Sequence, residues 1–158
     1  MNWFECKVSY DRQGESGLLE KVTESYLIDA MSFTEAEKRI NIEMKPFISG
    51  GEFLVANIKR VKIADMFRDA RGDKWYRCKV MFISFDDEKG VAKRTASTAF
   101  VQASDMKTAL DNLLEGMKNS MADYEIAAIT ETAIMDVYEY AVINEEGKIT
   151  ELGDIQSV

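Results

Sequence analysis

Between residues 3 and 8 apolar and polar side chains alternate: Phe4, Cys6 and Val8 fall on one side of an extended chain, and Trp3, Glu5 and Lys7 on the other. The alternation returns at residues 75–80, where Tyr76, Cys78 and Val80 interleave with Trp75, Arg77 and Lys79. A period of two predicts a strand at each place. Loops rich in Asp, Gly and Ser follow at residues 11–17 and 86–90, and a second extended run, residues 21–30 and 93–102, closes a hairpin in each half.

The period then becomes helical. Ser32 and Glu35 have capping-box spacing, in which hydroxyl and carboxylate satisfy free amides at a helix start, and Phe33, Ala36, Ile40 and Met44 recur at helical intervals. Pro46 lacks an amide proton and disfavours a helical residue before it, so this helix is predicted to stop near Met44 or Lys45. In the other half Asp105 is the predicted cap, and Met106, Ala109, Leu110, Leu113, Leu114 and Met117 form an apolar stripe expected to be core. Each half ends in a long β-rich run, residues 53–67 and 124–140. Both runs exceed a typical strand of about five or six residues and are expected to bend or bulge.

These parallels are residue by residue. Trp3, Cys6, Lys7 and Val8 match Trp75, Cys78, Lys79 and Val80 at an offset of 72. The offset becomes 73 after the first turn, pairing Gly17 with Gly90, Ala30 with Ala103, Ser32 with Asp105 and Ala36 with Ala109. It falls to 71 in the last run, pairing Val55 with Ile126, Ile58 with Ile129, Asp65 with Asp136 and Phe67 with Tyr138. Collinear blocks whose offset changes only at predicted loops point to an internal duplication.

The predicted fold is therefore α+β, a strand-strand-helix-strand unit written twice. Residues 1–140 form one globular body of two repeats, 1–69 and 70–140, with an approximate two-fold. Only seven residues separate Phe67 from Trp75, which favours an antiparallel hairpin between the third strand of one repeat and the first of the next. The two helices then cover a shared antiparallel or mixed sheet, or two small sheets packed back to back. Residues 141–158 lie outside the repeat and read as an acidic extension, either a hairpin around Glu145, Glu146 and Gly147 or a disordered tail.

Composition narrows the classes of function. The chain has 158 residues, 46% of them hydrophobic, enough for one sizeable core. No run approaches the roughly 18 apolar residues of a membrane helix, and residues 1–13 lack the apolar stretch of a signal peptide, so the expectation is a cytoplasmic protein with no membrane partner. Cys6 and Cys78 occupy equivalent positions and are expected to be reduced core residues. The net charge is −8. The tail contributes −3 of it, which leaves the body only mildly acidic and softens the exclusion of nucleic acid.

Chemistry is sparse. With no histidine the commonest general base is missing, and with it every Ser-His or Cys-His dyad. No CxxC, P-loop, GxGxxG or GxSxG pattern occurs, so no metal and no cofactor is implied. Asp86, Asp87 and Glu88 lack the spacing of a calcium loop and read as a hairpin tip. Asp65 and Asp136 are the acids that the repeat places equivalently, either as strand-end polar residues or as a carboxylate pair on the two-fold axis.

Binding candidates come from the alternation. Trp3 and Lys7 share a face, as do Trp75 and Lys79, and an indole beside an ammonium can stack a base and meet a phosphate. Equally, the indoles can cover a second small core with lysine stems lying along them. Lys59, Arg60 and Lys62 stand where the other repeat has Thr130, Glu131 and Ala133, so this charge is not required by the shared fold. In a regular strand Lys59 points away from Arg60 and Lys62, and charge protecting an edge strand explains the same residues.

The WxxCKV opening, the TESYLIDA stretch leading into SFTEAE, and the IKRVKIADMF segment together resemble a family of short uncharacterised proteins described only as a domain of unknown function, from anaerobic gut bacteria and some of their phages. The resemblance covers most of residues 1–140 and implies no activity and no catalytic residues; its phage setting favours a role near nucleic acid. The leading expectation is a noncatalytic binding or assembly module contacting single-stranded nucleic acid or a protein partner, with a homodimer as one form of it. The rival is a small carboxylate-dependent enzyme using Asp65 and Asp136.

Overall fold

The alternation at residues 3–8 and 75–80 is realised in two long strands. In chain order the elements are β1 (Asn2–Gln13), β2 (Leu19–Ala30), α1 (Phe33–Met44), a 3₁₀ turn (Lys45–Phe47), β3 (Phe53–Val61), β4 (Asp65–Phe67), β5 (Lys74–Asp86), β6 (Val91–Ala103), α2 (Met106–Met117), β7 (Asp123–Glu131), β8 (Ile134–Tyr138), β9 (Ala141–Ile143) and β10 (Ile149–Glu151). The computed structural model describes residues 2–48, 51–139, 141–143 and 149–151. The fold is α+β, with two helices and two four-stranded mixed sheets.

Both helices start where capping chemistry requires. The Ser32 hydroxyl accepts from the Glu35 amide at 3.2 Å, and the Asp105 carboxylate accepts from the Thr108 amide at 2.8 Å, each satisfying an amide donor that the helix itself leaves free. Pro46 ends α1 as expected: the helix stops at Met44 and tightens into the 3₁₀ turn.

The chain divides into two compact units, Met1–Val61 with Ile134–Val158, and Lys62–Ala133. In the first unit the strand order is β3-β1-β2-β8, in which β1 is antiparallel to both neighbours and β8 runs parallel to β2. Helix α1 supplies Ala36, Ile40 and Met44 to a core with Phe4, Cys6, Val8 and Ile28. In the second unit the order is β4-β6-β5-β7, in which β5 is antiparallel to both neighbours and β4 runs parallel to β6. Here α2 supplies Ala109, Leu113 and Met117 to a core with Tyr76, Cys78, Val80 and Val101. Each sheet carries one register shift against its outer antiparallel strand, between Lys7 and Val8 and between Lys79 and Val80.

Two expectations change. The long third runs carry the bulge offered as one alternative, their register shifts skipping Ala56 and Ala127, but they do not stay in one sheet: each breaks, at residues 62–64 and 132–133, and its second piece joins the other unit's sheet. The expected hairpin across residues 68–74 does not form, because β4 pairs with β6 in parallel and both neighbours of β5 are already taken by β6 and β7. For the same reason the compact units part at residues 61/62 and 133/134. Strands β9 and β10 pair antiparallel, while the hairpin turn expected at Glu145, Glu146 and Gly147 lies outside the described residues.

Candidate functional site

The tryptophan and lysine positions separate on burial. In the first unit Trp3 is half-buried and Lys7 is exposed, and between them Glu5 receives Lys59 from the neighbouring strand at 3.2 Å. Lys59 therefore faces the side of the sheet away from α1. Arg60 faces the helix side, its guanidinium 5.6 Å from the Phe4 ring centroid and 5.7 Å from that of Phe33. In the second unit Lys79 is exposed but Trp75 is only 1% exposed, and the Arg68 guanidinium lies 5.6 Å from its ring centroid. An indole this deeply covered offers no open face to a stacking base. Lys62 falls beyond the end of β3, exposed, in the segment that leads into β4.

Asp65 and Asp136 are both exposed and belong to different sheets. Asp65 stands opposite Ala99 in the β4–β6 ladder, and Asp136 opposite Tyr26 in the β2–β8 ladder, where its carboxylate accepts from the Val137 amide at 2.8 Å. Asp86 accepts from the amides of Glu88 and Lys89, a hairpin-tip role. Among the described residues no group of three or more His, Cys, Asp or Glu side chains is placed to hold a metal ion, and no helix is long and apolar enough to cross a membrane.

A polar cluster inside the first unit was not anticipated. The Glu24 carboxylate accepts from the Tyr10 hydroxyl at 3.0 Å and from the Tyr26 hydroxyl at 2.5 Å, Arg12 lies 3.6 Å from it, and the Tyr138 ring stacks on Tyr26 at 5.8 Å. The available signal was Glu24 itself, a charged residue on the same face as Val22, Tyr26 and Ile28. Burial, then the hydrogen bond to Glu24, raises both tyrosine pKa values, so these phenols stay protonated and act as donors rather than bases. The thiols are equally unreactive: burial pushes Cys6 up to about 12 and Cys78 up to about 11, far from the thiolate a nucleophile needs.

A second network holds the loop after β4 onto α2. Asp69 accepts two hydrogen bonds from the Arg71 guanidinium, at 2.9 and 3.1 Å, and one from Asn112 at 3.0 Å, and these hold its carboxyl well below the usual carboxylate range. Gln102 accepts from the Asp69 amide and donates to the Gly72 carbonyl. Gly72 is required here because a Cβ would sit 2.4 Å from the Ala103 backbone. The network walls a groove of about 360 Å³ whose floor includes Met66, Phe67 and Gly116, but its donors and acceptors are largely spent on one another.

The feature that departs most from expectation is on α2. Of the apolar stripe expected to be core, only Ala109, Leu113 and Met117 are buried. Met106, Leu110 and Leu114, at positions i, i+4 and i+8, are 53%, 36% and 43% exposed. The helix carries an apolar arc wider than its sheet covers. On α1 the offset of 73 places Phe33, Glu37 and Asn41 at the corresponding positions, so only α2 has an outward apolar ridge.

A family model described as Domain of unknown function (DUF4494) matches residues 2–140. No curated protein and no solved structure matches the chain.

Proposed function

We propose that this chain, which belongs to the DUF4494 family of unknown function, is a noncatalytic assembly module that associates with a second copy of itself through the outward face of α2. The observation that carries the reading is the exposed ridge of Met106, Leu110 and Leu114. Exposed apolar stripes of this kind on otherwise polar helices mark interaction surfaces. An antiparallel helix pair with its two-fold at Leu110 sets Met106 against the partner's Leu114, and Lys107 and Asp111 border the ridge with opposite charges. Three side chains are a small surface beside the roughly 800 Å² per partner of a standard interface, so the association is weak. The locked tyrosines, protonated thiols and dispersed aspartates support a noncatalytic role.

Sedimentation velocity over a wide concentration range tests this. Wild type should show a sedimentation coefficient rising with concentration, and Leu110→Glu should stay monomeric throughout. A wild type that is monomeric at all concentrations, or a variant that associates equally well, rejects the reading.

We also infer that the chain is a tandem duplication with an approximate internal two-fold. Support comes from the three offset blocks, from the matching order of strands in the two sheets, and from register shifts at Lys7/Val8 and Lys79/Val80, positions that the offset of 72 pairs.

A further inference from the structure

Strand β6 is covered on one side only. Strand β5 pairs with it along its whole length, from Val91 to Ala103, but β4 pairs only with Ala99, Phe100 and Val101. The segment before β4 adds one more bond, from the Ala64 amide to the Thr98 carbonyl at 2.8 Å. Among the described residues, the outer edge of residues 91–97 has no strand partner. Because successive residues of a strand direct their N–H and C=O groups to opposite sides, the Thr98 bond fixes the direction of the rest. Ala92, Arg94 and Ala96 present their backbone donors and acceptors to the open edge.

Exposed edges are usually kept short, kinked by a bulge or blocked by proline. Charge is a fourth such device, and Lys93 and Arg94 supply it here; the other three are missing. The edge is seven residues long, about the length of a whole strand. It has no proline or glycine, and its register with β5 is uninterrupted. Its side chains are small at Ala92, Thr95, Ala96 and Ser97, which leaves the backbone accessible. It runs into a cleft of about 160 Å³ lined by Lys62, Ile63, Ala64, Ala96, Ser97 and Thr98, where the first residue beyond the end of an added strand would lie.

Charge decides what can be added. Residues 91–97 carry Lys93 and Arg94 and no acid, and Lys62 stands at the cleft, although the protein as a whole has a net charge of −8. Glu125 on β7 reaches Arg94 at 2.7 Å, which draws that guanidinium across β5 and away from the open edge and leaves Lys93 and Lys62 as the cations beside it. A second copy of β6 laid antiparallel about Arg94 would oppose like charges. The other open edge, residues 19–24 of β2, carries Glu20, Lys21 and Glu24 and has no such bias.

We propose that the open edge of β6 is a strand-addition site for an extended, acidic segment of a partner protein. Main-chain hydrogen bonds to Ala92, Arg94 and Ala96 supply the affinity, and Lys93 and Lys62 select acidic over basic sequences. The site is separate from the α2 ridge, and the two proposals fail independently.

Fluorescence anisotropy on the full chain tests it, with two labelled, end-blocked heptapeptides: one alternating valine and glutamate, the other alternating valine and lysine. The glutamate peptide should bind and the lysine peptide should not. Ala96→Pro removes one outward amide without touching the β5 ladder, and should weaken binding about tenfold while circular dichroism and cooperative unfolding persist. Lys93→Glu, which leaves every backbone group in place, should weaken it about threefold and shift the preference toward the lysine peptide. Equal binding of the two peptides, no binding of either, or glutamate-peptide binding unchanged in a folded Ala96→Pro protein would overturn the proposal. Self-association abolished by Ala96→Pro but indifferent to the peptide would also overturn it and give the edge to a second copy.

Discussion

The two units share an order of strands and hold their helices in place by different means. In the second, Asn112 on α2 donates to the Gln102 carbonyl at 3.0 Å and to Asp69 in the loop after β4. In the first, Arg39, which the offset of 73 pairs with Asn112, donates to the Asp29 carbonyl at the end of β2 and to the Glu139 carbonyl after β8. The task is the same, but one side chain is a neutral amide and the other a fully buried cation. The core beside each helix differs in the same sense: Tyr10, Glu24 and Tyr26 in the first unit correspond to Phe82, Ser97 and Ala99 in the second. The lesson is that one backbone plan tolerates either a polar or an apolar interior beside its helix, and the polar version is the less completely satisfied: the Ser9 hydroxyl and one Asp29 carboxylate oxygen are buried without a hydrogen-bond partner among the described residues.

The comparison is broken most severely at the two helix clamps. Arg39→Ala strands two backbone carbonyls and leaves a cavity, and should cost about 3 kcal/mol in urea-induced unfolding, against about 1 kcal/mol for Asn112→Ala. Equal losses would show that the buried charge adds nothing beyond its hydrogen bonds. Next in size is the tyrosine cluster. Glu24→Ala leaves the Tyr10 and Tyr26 hydroxyls without their acceptor and should destabilise by about 2 kcal/mol, while Ser97→Ala should stay within about 0.5 kcal/mol. The smallest effect is one of pH. Asp69 has its folded pKa depressed by Arg71 and Asn112, so its contribution is present above the pKa of the unfolded carboxylate and is lost as pH falls through the folded value. Asp69→Asn should therefore lower stability in the neutral region, flatten the acid limb of a stability-against-pH profile and converge with wild type at low pH; an unaltered acid limb would remove Asp69 from the account.

Local features were legible in the sequence. The first strands, the Ser32 and Asp105 caps and the stop at Pro46 all depend on interactions within a few residues, which periodicity and capping chemistry report. What escaped depends on distant partners. The parallel pairing of β4 with β6 joins residues more than thirty apart, and no local pattern distinguishes a three-residue parallel strand from the tail of a longer one. Arg39 reads as an ordinary polar position on an amphipathic helix, because its burial is set by where β8 ends, a hundred residues later. Apolar spacing reads Leu110 and Leu114 as core because it reveals how wide an apolar arc is, but not how much of it a sheet will cover. Among the candidate site residues, alternation placed Lys59 opposite Arg60, as the Glu5 and Phe4 contacts of the two residues bear out, but it had no means of ranking Trp3 against Trp75 in burial.

The break of each third run into two strands has a consequence for synthesis. Strands β4, β5, β6 and β7 lie within one unbroken stretch, residues 65–131, and can close as soon as that stretch has left the ribosome. The N-terminal sheet, although translated first, lacks β8 until residue 138 has emerged. Strand β2 must therefore wait with an open edge while more than a hundred further residues are added, some seconds at ordinary elongation rates. The half of the molecule that is made first is the half that is finished last.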